Sequence, residues 1–252
     1  MPFADHVFPH LPDLRESMTP PDQSAMRFSQ SKLSEFDAKA EAEGWPAGWR
    51  VSNDVRDANR QSTLAGRLDQ DLWVFAYGSL IWDPAVIVEE CRLGALIGWH
   101  RSFCMHIEGG RASPETPGLM AALDEGGFCL GVALRIPAKL VDQETEYMWR
   151  REMFSGTYRP VFRAVTTPQG TVEALTFVMD QTNFRYVPDL TETEAARRIA
   201  TVVGQRGTNF DYLASLIQSL ATLGIEDEDM DRLHALACKH RSEAPEGLLR
   251  AS

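Results

Sequence analysis

The sequence predicts an α+β fold whose mixed sheet curls into a small barrel with helices around it. Three features carry this expectation. Six apolar, β-prone runs divided by Gly, Pro and Asp lie between Leu72 and Met179. One clear helical pattern interrupts them, and helical patterns with caps and stops take over after Asp189. With 252 residues the chain suffices for one large domain or two small ones around a real core.

Taken in order, the first seventy residues stand apart. They hold six of the fourteen prolines within the first fifty positions and show little periodicity. A short helix is expected from Ser31, a capping residue type, to Gly44, a residue suited to follow the last turn, with Leu33, Phe36 and Ala40 along one side. Trp45 and Trp49 would be wasted in a disordered tail. Residues 1–70 therefore read as an irregular arm laid on the main domain, contributing docking or stability rather than chemistry; a mobile extension is the alternative.

The strand-like runs are Leu72 to Tyr77, Cys91 to Met105, Gly118 to Leu123, Phe128 to Ile136, Val161 to Thr167 and Val172 to Met179. The helix among them spans Lys139 to Phe154. Thr191 with Glu194 makes a capping-box pattern for a helix that Gly204 would stop. Leu213, Leu216, Ile217 and Leu220 mark a second helix, Asn209 to Leu223, ended by Gly224. A third runs from Asp227 towards His240. The main domain is thus expected over 71–242, with a C-terminal tail over 243–252.

Composition narrows the function. Acidic residues outnumber basic ones, 36 to 25, for a formal net charge of −11. Phosphate binding needs clustered Lys and Arg, so no nucleic acid and no anionic membrane is expected as the main partner, although a local pocket can carry the opposite sign. Cys91, Cys104, Cys129 and Cys238 form no Cys-x-x-Cys pair, and three lie in apolar runs, which favours buried free thiols in a reducing compartment. Their spacing does not suit a metal. The first residues have neither the basic nor the apolar region of a secretion signal, and no stretch is long and apolar enough for a bilayer. A cytoplasmic protein is expected.

Common catalytic signatures are missing: there is no phosphate loop, dinucleotide fingerprint, Gly-x-Ser-x-Gly elbow or His-Glu-x-x-His. The acidic run Asp227-Glu228-Asp229-Met230-Asp231 imitates a calcium loop, but Arg232 and Cys238 occupy positions that need glycine and glutamate. It reads better as a helix start, where acidic side chains meet the positive end of the dipole.

Two segments carry chemistry. In Trp73-Val74-Phe75-Ala76-Tyr77-Gly78-Ser79-Leu80-Ile81-Trp82 a buried strand ends at Tyr77, and a Gly78-Ser79 turn points backbone N–H groups outward, as a site for a carboxylate or an oxyanion. An ordinary glycine turn at a strand end is the plainer reading. In Tyr147-Met148-Trp149-Arg150-Arg151-Glu152-Met153 a helix would set Glu152 one turn from Met148, at the edge of an apolar stripe and near the helix C-terminus. Desolvation and the dipole both disfavour its carboxylate and push its pKa upward, towards use as a proton shuttle. A helix-end carboxylate paired with Arg151 or Arg159 is the plainer reading.

Together these segments resemble the ChaC family of γ-glutamylcyclotransferases. The resemblance rests on Tyr77-Gly78-Ser79-Leu80-Ile81-Trp82, Gly98-Trp99-His100-Arg101-Ser102-Phe103-Cys104, Thr116-Pro117-Gly118-Leu119 and Arg151-Glu152-Met153 with Gly156 and Tyr158. It covers Leu72 to His240. It implies a γ-glutamylcyclotransferase-like small mixed barrel surrounded by helices, and a catalytic domain over 71–242. It also implies a cofactor-free conversion of glutathione to 5-oxoproline and cysteinylglycine.

By the same resemblance Glu152 is the general acid/base, and Ala76, Tyr77, Gly78, Ser79 and Leu80 hold the γ-glutamyl end, with Tyr212 beside the pocket. Ala76 stands where many relatives have glycine. Arg101 or Arg111 is the candidate, on charge alone, to neutralise the glycyl carboxylate. The alternatives are cyclisation of other γ-glutamyl peptides or amines, and a non-catalytic regulatory protein of the same fold.

Overall fold

The computed structural model describes residues 3–243. Five strands, β1 (Leu72–Ala76), β2 (Glu90–Ile107), β3 (Gly118–Ile136), β4 (Tyr158–Thr167) and β5 (Gly170–Met179), close a barrel in the order β1-β3-β2-β4-β5. Neighbours are antiparallel except at the closure, where β1 runs parallel to β5 and pairs Trp73 with Ala174 and Val74 with Leu175. The mixed barrel is the expected α+β architecture.

One expected break is absent. The runs 118–123 and 128–136 form the single strand β3, because Gly126 and Gly127 take φ values of 104° and 62° and bend the chain without ending the ladder. The register shifts opposite them, between Ile97 and Trp99 of β2. A bulge of this kind adds twist and lets the long β2–β3 ribbon curl around the barrel. The strand β4 also starts earlier than expected, at Tyr158, which pairs with Met179.

Helix α4 (Ala138–Glu152) follows β3. Its buried face carries Val141, Met148 and Trp149, at the spacing of one helical stripe. Trp149 is fully buried and meets Phe177 of β5 edge-on, with ring centroids 5.4 Å apart. Truncating a buried indole of this kind costs about 3–5 kcal/mol.

The arm is less irregular than expected. It holds the short α1 (Leu14–Ser17), α2 (Gln30–Ala42) and α3 (Asn53–Thr63). Ser29 caps α2, not Ser31, and accepts from the Lys32 N–H at 3.1 Å. The sequence pattern missed α3 because its buried residues are Arg56 and Arg60, so no apolar stripe marks it. It docks on α4 through polar groups: Trp149 Nε1 donates to Asn59 at 2.9 Å, and Arg60 reaches Thr145 at 3.1 Å and the Asp142 carboxylate. Phe28, Phe36 and Trp49 pack on Phe154, just past α4.

After the barrel come α5 (Glu192–Thr201), the hairpin strands β6 (Val203–Gly204) and β7 (Gly207–Thr208), then α6 (Asn209–Thr222) and α7 (Glu228–Glu243). Thr191 caps α5 by accepting from the Glu194 N–H at 3.2 Å, but the Glu194 carboxylate turns to Arg197 and Arg198, so the reciprocal half of the expected box is not made. The complete box is Thr208 with Asp211, at the start of α6. Gly204 does not stop α5. It sits in β6, pressed so closely on Gly110–Ala112 that an added Cβ would lie 2.2 Å from the Ala112 nitrogen. Of the expected tail, all but Glu243 lies outside the described residues.

Candidate active site

The site forms where β1 leaves the barrel. Ala76 is wholly buried, and Tyr77 follows it with its hydroxyl donating to the Phe177 carbonyl at 2.9 Å. The chain then turns: the Ile81 N–H donates to the Gly78 carbonyl and the Asp83 N–H to the Ser79 carbonyl, each at 2.9 Å. Among the described residues, no carbonyl or side chain accepts from the N–H groups of Gly78, Ser79 or Leu80. A turn with free donors is what an anion or a developing oxyanion requires. The Ala76 and Leu80 side chains belong to the hydrophobic core, so what they offer a ligand is backbone.

Glu152 is the last residue of α4, and its side chain is only 12% exposed. Its Oε1 lies 2.9 Å from Nε of Arg151. The same guanidinium donates to Ser79 Oγ at 2.8 Å and to the Asp83 carbonyl, which ties the helix end to the turn. Burial pushes the Glu152 carboxyl above its ordinary range; Arg151 pulls it back, and the Asp83 carboxylate pushes it further up. The net direction is upward. The plainer reading of Glu152 and its expected tuning thus meet in one residue: it is paired with Arg151, yet still raised.

Three phenols surround this carboxylate. Tyr77 and Tyr158 are pushed well above the usual tyrosine range, first by burial, with Glu152 adding to it. Tyr212, on α6, is raised to about 12 by burial and then by Glu152. Its ring lies between Trp82 and Phe103, at centroid distances of 5.7 and 5.8 Å. A Cβ at position 78 would come within 3.1 Å of the Tyr212 hydroxyl, so Gly78 makes room for this phenol. All three hydroxyls stay protonated at neutral pH; those of Tyr77 and Tyr158 already donate to the Phe177 and Ala121 carbonyls.

The two arginines singled out by charge separate. Arg101 is buried, with Nε on the Tyr77 carbonyl and Nη2 on the Leu130 carbonyl, each at 2.6 Å, and Nη1 on the Asp227 carboxylate. It fixes the turn from behind, with each of its three nitrogens already bonded inside the protein. The expectation that it meets a substrate carboxylate is corrected on that ground. Among the described residues Arg111 makes one hydrogen bond, to the Thr208 carbonyl at 3.1 Å, and its charge acts on Tyr212.

Sequence reasoning missed Arg151 as a link, and Tyr158, Asp83 and Arg206 as neighbours of the site. Arg151 and Tyr158 stood inside quoted motifs. Asp83 directly follows the turn. Arg206 had no signal at all.

The arrangement suits a reaction that moves a proton through a carboxylate next to a cradle for negative charge. The family model described as ChaC-like protein matches residues 72–240. A glutathione-specific γ-glutamylcyclotransferase of Escherichia coli is 41% identical over 79% of this chain and 87% of its own length. That stretch is longer than residues 72–240 and the tail together, so it begins within the arm. The rat glutathione-specific γ-glutamylcyclotransferase 1 is 30% identical over 71% of this chain and 86% of its own. A crystal structure of a yeast γ-glutamyl cyclotransferase specific to glutathione shares the fold, with a TM-score of 0.65 at 22% identity over 69% of this chain and 99% of that one. The motifs, the barrel and the matched span agree: this chain belongs to the ChaC-like family.

Proposed function

We propose that this chain is a glutathione-specific γ-glutamylcyclotransferase with Glu152 as its general acid/base. The names of its relatives support the substrate. The observation that carries the mechanism is a buried carboxylate of raised pKa tied through Arg151 to a turn with free N–H groups.

The substrate brings its own nucleophile. Its α-amine attacks the γ-carbonyl carbon, a C–N bond closes the five-membered ring, and the amide C–N bond to cysteine breaks. Glu152 accepts the proton of the α-amine and returns it to the departing nitrogen, so the step balances without a co-reactant. Holding the glutamyl chain folded supplies the proximity. The Gly78, Ser79 and Leu80 N–H groups face the α-carboxylate or the tetrahedral oxyanion, and the Tyr212 hydroxyl is a further donor on the same side.

In this reading residues 71–242 are the catalytic unit and 1–70 an arm that supports it. A cytoplasmic setting is part of the proposal, supported by Cys91, Cys104 and Cys129 as buried free thiols. Among the described residues, no helix is long and apolar enough to cross a membrane.

The test is a product assay with purified protein and glutathione, read as 5-oxoproline and cysteinylglycine. Efficient release is expected, well above that from γ-glutamylalanine. Equal efficiencies would move the chain to a broader γ-glutamyl specificity, and no product from either would leave a binding protein of the same fold.

A further inference from the structure

Arg206 and Arg111 sit beside the site without an acidic partner. The chain carries net charge −11, and most of its arginines are paired with carboxylates. Among the described residues no carboxylate lies within ion-pair distance of either. Arg111 donates to one backbone carbonyl. The guanidinium of Arg206 meets the Met26 thioether at 2.7 Å and lies over the Phe28 ring, 5.4 Å from its centroid. A thioether is a weak acceptor and a ring face holds a cation without neutralising it, so the charge is positioned but not cancelled.

The backbone fixes both residues together. The β6–β7 hairpin presents Gln205 and Arg206 at its tip, and the Arg206 N–H donates to the Gly110 carbonyl at 2.8 Å. Gly204 allows that hairpin to press onto Gly110–Ala112, since any side chain there would collide with backbone. Arg206 therefore rides on the loop that carries Arg111. It also feels the charges of Arg151, Arg111 and Asp83, which places it on the Glu152 side of the molecule. The guanidinium stays charged and its residue is exposed, but desolvation beside its neighbours and the two like charges lower its pKa, a direction that an arriving anion would reverse.

We propose that Arg206, backed by Arg111, binds the C-terminal carboxylate of the substrate's dipeptide half and so selects γ-glutamyl peptides that end in a free carboxylate. This rests on the cyclotransferase reading above and adds a specificity-determining site to it. The arm then has a part in recognition, because Met26 and Phe28 hold the guanidinium.

The test compares glutathione with its glycyl amide, γ-glutamylcysteinylglycinamide, in the full-length protein and in Arg206→Gln and Arg206→Lys. The wild type is expected to prefer the free acid. Arg206→Gln should raise KM for glutathione about tenfold to a hundredfold, the worth of a hydrogen-bonded charge, while KM for the amide and kcat on both stay near wild type. Arg206→Lys should keep part of the preference. Melting temperatures show that each variant is folded. Equal losses on acid and amide, or an undiminished preference in folded Arg206→Gln, would overturn the subsite while leaving the cyclotransferase intact. Failure of the wild type to cyclise either compound would instead overturn the function.

Discussion

Arg151 and Glu152, consecutive in the chain, meet at 2.9 Å through Nε and Oε1, and the other end of the same guanidinium holds Ser79 Oγ at 2.8 Å. The pair closes the last turn of α4, which ends at Glu152. The arginine thereby fixes the distance between the carboxylate and the turn. It also pulls the carboxyl's pKa down against the larger upward push of burial.

The first prediction concerns pH. Because the Glu152 pKa is raised, the acid limb of kcat should lie above the ordinary glutamate range, with activity lost as pH falls through that raised value. Arg151 is the group that pulls the pKa down, so Arg151→Met should move the limb to still higher pH and lower its plateau by misplacing the turn. A pH profile of each variant checks both effects, and an unmoved limb would remove Glu152 as the titrating group.

The second concerns Gly78. A Cβ there lies 3.1 Å from the Tyr212 hydroxyl and from no other described atom within contact range. Gly78→Ala should therefore raise KM or lower kcat by pushing the phenol aside. Tyr212→Phe removes only the colliding oxygen, and Gly78→Ala combined with Tyr212→Phe should be no worse than Tyr212→Phe alone. A double-mutant cycle measures this coupling, which should be about 0.5–3 kcal/mol for groups in contact.

Much of this site was legible in the sequence because local patterns carry it. The strand ending at Tyr77, the glycine turn and the helix ending near Glu152 are set by residues adjacent in the chain, and an apolar stripe marks the buried side of α4. What escaped depends on distant pairings. Helix α3 buries Arg56 and Arg60, and Arg60 finds its partners on α4, which no periodicity of apolar residues reveals. Arg101 looked like a substrate cation until its partners, Leu130 and Asp227, arrived from β3 and the start of α7. Arg206 owes its place to a two-stranded hairpin too short to leave a pattern.

The third prediction concerns the arm. The Glu144 side chain is fully buried, and Arg27 clasps it with two bonds of 2.6 and 2.8 Å, while the Ile87 N–H adds a third at 2.9 Å. Removing one partner of a buried pair leaves an uncompensated charge, at a cost of about 3–5 kcal/mol. Arg27→Met should lose about that much in denaturant unfolding, and Arg27→Met with Glu144→Met should regain most of it. A chain beginning at Asp69 lacks Arg27 together with the aromatic cover of Phe154, so its melting temperature should fall well below that of the full chain. Unchanged melting would return the arm to a loosely attached extension.

The fourth prediction separates chemistry from structure at Glu152. Glu152→Gln keeps nearly the same volume and can still accept from Arg151, but it cannot take the proton of the substrate amine. Turnover should fall by about 10²–10⁴-fold, the usual contribution of a positioned acid/base. Stability should move the other way. A carboxyl whose pKa is raised on folding stabilises the native state below its unfolded value, and that contribution is lost as pH rises through the folded value. At neutral pH the upward shift of Glu152 is therefore a cost that glutamine does not carry, and the variant should melt at or above the wild-type temperature. The gain should shrink as pH is lowered into the range where Glu152 is protonated in both states. Arg151 keeps Ser79 and the Asp83 carbonyl in the variant, so the turn stays in place and glutathione should still bind. Wild-type turnover in Glu152→Gln would remove it as the shuttle, and a collapsed melting temperature would make its pairing with Arg151 the reason for its presence.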